Sequence, residues 1–211
     1  MKKFILGVGL LLAVSLFGAA SVSAQTTSTS LALSANIPAA TGATVAVSSV
    51  NPTTLVFTPV TGTALTFDPM ALNSQFKIFL PNHFFAIDIG VTGGAGSVNT
   101  TVTYTDALNP NAPAHGLGWK STATFVKVTG ATGSQTETFL TTHGPKKMLK
   151  DLTGETINST EITGGFLRVY LGIVTGDPNA NPKEPTGAEV FTTADKGGNY
   201  TGTLVVSNTL L

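Results

Sequence analysis

Few residues in this chain could do chemistry, and their spacing limits which chemistry. Gly90-Val91-Thr92-Gly93-Gly94-Ala95-Gly96 has the glycine density of a phosphate cradle. Such a loop holds phosphate only where it opens a helix whose first amides face the anion. Residues 97–105 read instead as a strand, so the run is expected to be a hairpin loop. Ser74-Gln75-Phe76-Lys77 matches Ser-x-x-Lys, in which a lysine one helical turn away activates the serine. In a strand, residues three apart point to opposite faces, and the companion Lys-Thr-Gly motif is absent. His83, His115 and His143 are the only histidines; they lie far apart, without acid ligands at metal spacing and without a Gly-x-Ser-x-Gly elbow. No catalytic residue, resident metal or cofactor is therefore assigned.

The best cation signal is weak. Asp177, Asn179 and Asn181 put oxygen side chains at alternate positions, and Glu184 or Glu189 could complete a calcium shell. Pro182 stands where an EF-hand loop needs its glycine, Ala188 where it needs its last glutamate, and no flanking helices are evident. An ordinary Asn/Pro turn is the competing reading. Lys146, Lys147 and Lys150 form the only basic cluster, too small to imply a polyanion partner. Trp119, the single tryptophan, offers either a sugar-stacking platform or a packing anchor.

The elements that must carry these residues are strands. In Leu31-Ala32-Leu33-Ser34-Ala35-Asn36-Ile37 the larger apolar residues fall at every second position, and the same period returns along the chain. Strands are expected at 44–50, 55–58, 64–67, 76–80, 84–91, 99–105, 122–128, 137–141, 166–174 and 199–209. Phe85, Ile87 and Ile89 share one face of their strand, as do Leu167, Val169, Leu171 and Ile173. Phe166, Arg168 and Tyr170 oppose the second set. Tyr200, Leu204 and Val206 are the expected core residues of the terminal strand. The 23 glycines and 11 prolines oppose long helices, and only 145–152 offers about two helical turns. The fold class is all-β: an antiparallel Greek-key (Ig-like) sandwich with long loops, with insertions expected at 106–118 and 176–187.

Residues 1–24 read as a signal peptide, with Lys2 and Lys3 as the positive end, an apolar stretch from Phe4 to Phe17, and Val22-Ser23-Ala24 as the cleavage site. The rest of the 211 residues, 25–211, suffices for a single domain, exported to the periplasm, cell surface or medium, with no membrane span in the mature chain. Eleven basic residues balance eleven acidic ones, which removes the electrostatic case for nucleic acid. The absence of cysteine excludes disulfide-framed modules and thiol chemistry.

The two ends carry a family-level signal. Ser30-Leu31-Ala32-Leu33-Ser34-Ala35-Asn36-Ile37-Pro38 and Gly198-Asn199-Tyr200-Thr201-Gly202-Thr203-Leu204-Val205-Val206 together resemble the Cys-free colonisation-factor (alpha-type) fimbrial subunits of the chaperone-usher class. Spore-coat-U-like exported sandwiches also end in a Gly-x-Tyr-x-Gly strand. The resemblance implies a sandwich lacking one strand, whose groove is filled by the N-terminal strand of the next subunit. Leu31, Leu33, Ala35 and Ile37 are then the donor positions, and the partners are other copies of this chain and a periplasmic chaperone. The same alternation equally suits a resident first strand of a self-complete sandwich. The expected function is a non-enzymatic structural subunit of a fimbria or surface layer. The alternative is a monomeric exported carbohydrate- or protein-binding sandwich.

Overall fold

The computed structural model describes residues 31–36, 43–91, 98–107, 115–195 and 198–211. The signal-peptide reading of 1–24, Ser30, Ile37 and Pro38 of the N-terminal motif, and 108–114 of the expected 106–118 insertion lie outside the described residues. The strands are β1 (Leu31–Asn36), β2 (Ala43–Val50), β3 (Phe57–Pro59), β4 (Ala64–Thr66), β5 (Met70–Asn73), β6 (Ile78–Pro81), β7 (Phe84–Val91) and β8 (Val98–Asp106). After one helical turn, α1 (Leu117–Lys120), come β9 (Ser121–Thr129), β10 (Thr136–Phe139), β11 (Lys147–Met148), β12 (Thr153–Ile157), β13 (Phe166–Ile173), β14 (Phe191–Thr192) and β15 (Tyr200–Leu210). The chain is an all-β sandwich. Among the described residues no helix is long and apolar enough to cross a membrane.

One sheet has the strand order β12-β8-β15-β1-β4, the other β10-β9-β13-β7-β2-β3 with β11 beside β9, and a small third sheet has the order β14-β6-β5. No two strands of the first sheet are consecutive in the chain, so every pairing in it joins distant segments. The second sheet contains the hairpins β2–β3 and β9–β10. β7 and β8 lie in different sheets and do not pair, so they do not form the expected hairpin; residues 92–97, which hold most of the glycine run, lie outside the described residues.

The core lies between the two large sheets. Leu33, Leu65, Val102, Leu204 and Val206 from the first face Phe85, Ile87, Phe125, Leu167 and Val169 from the second. Each such side chain fully removed from water contributes about 1.5–3 kcal/mol. The alternation in β7 and β13 thus points inward as its spacing implies. The expected helix at 145–152 is replaced by β11 and a 3-10 turn at Leu149–Asp151. Lys147 and Met148 pair with Ala123 and Thr122 on β9, and this sheet pairing overrides a weak helical preference.

Candidate functional site

The two terminal motifs meet. β1 runs parallel to β15, from Leu31 opposite Tyr200 to Asn36 opposite Val205, and antiparallel to β4, with Leu33 opposite Leu65. The N-terminal strand therefore occupies a two-sided slot in the sheet of its own chain. Leu33 has no exposed surface, and Tyr200, Leu204 and Val206 are buried in the same core. Of the donor positions, Leu31, Leu33 and Ala35 are placed on β15. The sequence carried the two ends as separate signals; the register makes them one seam.

Gly202 is a crowded position of that seam. It stands opposite Leu33 on β1 and Asp106 on β8. The Tyr104 ring lies across it and donates its hydroxyl to Asp106 Oδ1 at 2.6 Å, and the same oxygen accepts the Gly118 amide at 2.9 Å. A Cβ at Gly202 would sit 2.5 Å from Tyr104 Cε2, and closer still to Cζ and Oη. A Cβ at Gly118 would sit 2.8 Å from Cε1 of the same ring. Burial, the bond to Asp106 and the aspartate's charge together push the Tyr104 phenol up. The Gly-x-Tyr-x-Gly signature therefore has a packing cause: Tyr200 fills the core, and Gly202 leaves room for a second tyrosine.

A second feature lies on the outward face of the other sheet. Arg168 is only 5% exposed there, although strand alternation places it towards solvent. Its Nε and Nη2 bind both oxygens of Asp88 at 2.6 and 2.7 Å, and Nη1 donates to Glu137 at 2.6 Å. The Phe57 ring covers the guanidinium at 4.6 Å. One side chain of β13 thus ties together β7, β10 and β3. Burial works against its charge, but the bonds from Asp88, Tyr170 and Glu137 outweigh it and hold the guanidinium above its usual value. Tyr170 also donates to Glu137 at 2.6 Å; burial and that carboxylate push its phenol up to about 12.

Beside this knot opens a groove of about 690 Å³. Its floor includes Phe84 and Tyr170, which meet edge to face, and Leu55, Phe57 and Phe139 border it with exposed apolar surface. Lys146 and Glu184 also line it. The sequence signal for this site was the outward Phe166-Arg168-Tyr170 alternation. Nothing local shows that distant Phe57 and Glu137 close over it.

The remaining candidates do not converge. His83 bonds Asn82 and the Thr66 carbonyl, His115 bonds Glu189, and His143 lies between Glu155 and Glu161. Among the described residues no group of three His, Cys, Asp or Glu side chains could hold a metal ion. Asp177 accepts the Asn179 amide at 2.8 Å in an Asx turn, with Asn179 and Asn181 exposed beside it. Glu184 accepts the amides of Thr175 and Gly176 and the Thr175 hydroxyl, while Glu189 faces His115 and Lys120. Both glutamates that would complete a calcium shell are engaged elsewhere. Trp119 stacks on His115 at 4.0 Å and carries the Lys150 ammonium at 4.4 Å. The Ser74–Lys77 pair sits in the turn between β5 and β6, where Asn73 Oδ1 accepts the Gln75 and Phe76 amides.

The chain matches no family model, no curated protein and no solved structure.

Proposed function

We propose that this protein is an exported, non-enzymatic structural subunit whose copies are linked by exchanging β1. The observation that carries the reading is the two-sided slot: the N-terminal strand lies between β15 and β4, with Leu33 completely buried. β1 comes first in the described fold, so its withdrawal unthreads no other strand. A slot that accepts β1 from its own chain accepts the same strand from another copy with the same register, which makes exchange of an identical element a low-cost route to assembly. Because each copy gives a strand to one neighbour and receives one from another, the contact is head-to-tail and generates an open fibre unless its rotation closes a ring. An empty slot exposes both the Leu33 site and unpaired strand edges, a hazard that a chaperone strand would cover before assembly.

The test combines a variant with a truncation. Leu33→Asp in the full chain should give a folded, soluble protein that no longer assembles, because a charge without a partner is costly in either copy's slot. The chain lacking residues 25–38 should keep its remaining strands and gain thermal stability from an added peptide spanning 30–38. Size-exclusion chromatography and negative-stain microscopy of native material read the assembly. Normal fibres from Leu33→Asp, a strictly monomeric native protein, or unfolding of the truncated chain without rescue by the peptide would each overturn the exchange reading.

A further inference from the structure

We propose that the outward groove beside Arg168 is a binding site for an amphipathic carboxylate, an apolar chain or ring system ending in one anionic head, with Lys146 as the head-group partner. The volume, about 690 Å³, falls within the ~300–1,000 Å³ of small-molecule sites. The lining supplies the two halves such a ligand needs. Leu55, Leu80, Phe84 and Phe139 form apolar surface contributed by separate strands and loops, and Leu55 and Phe139 leave much of theirs open to water.

The polar half follows from which lining groups already have partners. Glu137 is held by Arg168 and Tyr170, and Glu184 by the backbone at Thr175 and Gly176. His83 has a partner on each ring nitrogen. Lys146 alone among the charged lining residues makes no hydrogen bond and no ion pair with any described residue, although it is half-buried. Its neighbours in sequence differ: Lys147 pairs with Glu155 and Lys150 with Asp151. Burial lowers the Lys146 pKa, and the Glu184 charge only partly offsets this. A half-buried ammonium with three donors and no acceptor beside an apolar groove selects a ligand that brings the acceptor. A carboxylate meets that need with a charge-assisted hydrogen bond, which a neutral hydroxyl matches only in part and an ammonium opposes.

Isothermal titration of the full chain with dodecanoate, dodecanol and dodecylammonium, each below its micelle concentration, tests the assignment. Dodecanoate should bind and raise the melting temperature, dodecanol should bind about tenfold more weakly, and dodecylammonium more weakly still. Lys146→Gln should bring dodecanoate down to the level of dodecanol, whereas Lys146→Arg should retain most of the preference. Phe139→Ser, at an exposed position that leaves the core untouched, should weaken dodecanoate and dodecanol alike. Binding of none of the three, equal binding of dodecanol or dodecylammonium, an unchanged preference in Lys146→Gln, or indifference to Phe139→Ser would overturn the proposal. None of these results bears on strand exchange, which uses the other sheet.

Discussion

Substituting alanine for Gly202 puts one methyl group where the Tyr104 ring now lies. The new Cβ would be 2.5 Å from Cε2, and nearer to Cζ and Oη, against a comfortable separation of about 3.5–4.0 Å. The obstacle is a whole ring anchored at its tip, so a small rotation does not clear it. Tyr104 must leave Asp106, which also holds the Gly118 amide, and Gly118 closes the ring's other side. Overpacking typically costs about 1–3 kcal/mol, and a lost hydrogen bond to a charged group about 1.5–3. The expected destabilisation is roughly 3 to 5 kcal/mol, a large share of the 5–15 that holds a typical domain together. At about 2–4 °C per kcal/mol, the melting temperature should fall by about 10 °C. The sign is diagnostic, because Gly202 has no left-handed φ and alanine in an uncrowded strand would stabilise by about 0.5–1 kcal/mol. Urea denaturation followed by far-ultraviolet circular dichroism gives the value. The same substitution in a Tyr104→Leu background should cost little, since the ring is gone. A Gly202→Ala protein as stable as the parent, or an equal cost in both backgrounds, would refute the account of the terminal motif.

The guanidinium knot and the tyrosines give two further tests. Arg168→Met leaves Asp88 and Glu137 without their shared cation; their side chains are 30% and 37% exposed, so the loss should sit near the lower end of the ~3–5 kcal/mol range for breaking a buried pair. Arg168→Lys should recover only part of this in urea denaturation, because an ammonium cannot bind Asp88 through two parallel donors. All three tyrosines are raised above their ordinary value of 10.0, Tyr170 by burial and Glu137 and Tyr200 by burial and the Asp195 charge, each to about 12. A raised folded value means stability that is intact below 10 and is lost as the pH climbs towards 12. Phenolate absorbance should therefore stay absent through about pH 10 and then rise together with unfolding. A phenol titrating near 10 in the folded protein would contradict the burial assigned to it.

Strands with one buried face were legible because period-2 alternation is a local signal, and Phe84–Val91 and Phe166–Ile173 fall where it puts them. β5, β11, β12 and β14 were not, being two to five residues long and too short to show a period. Partnership was illegible for a different reason. In the sheet that holds β1 no strand neighbours its predecessor in the chain, so neither turn chemistry nor loop length reports which strands pair. The same distance hid both sites. Arg168 reads as an outward residue until Phe57 and Glu137 arrive from the sheet's far edges. Lys146, Lys147 and Lys150 read as one solvated cluster, yet the fold sends Lys147 to Glu155, Lys150 to Trp119 and Lys146 to the groove. The closing motif was visible as a resemblance, but its cause lies in Tyr104, nearly a hundred positions away.

The topology also constrains when the seam can form. β2–β3 and β9–β10 pair locally, whereas β1 cannot close until β15 exists, and its neighbours on both sides come from elsewhere in the chain. The slot between β15 and β4 is therefore filled late, by the pairing with the greatest sequence separation in the fold. Once β15 is in place, filling is a competition. The chain's own β1, tethered through residues 37–42, acts at an effective concentration on the order of millimolar, so a neighbour's strand wins only where copies are crowded to that level or where the tethered strand is held off. Dilute refolding should accordingly yield closed monomers from the same chain that links into oligomers when concentrated, and light scattering across a dilution series reads the difference. No association at any concentration would mean that the seam belongs to one chain alone, and association that does not fall on dilution would refute the competition between the tethered strand and a neighbour's.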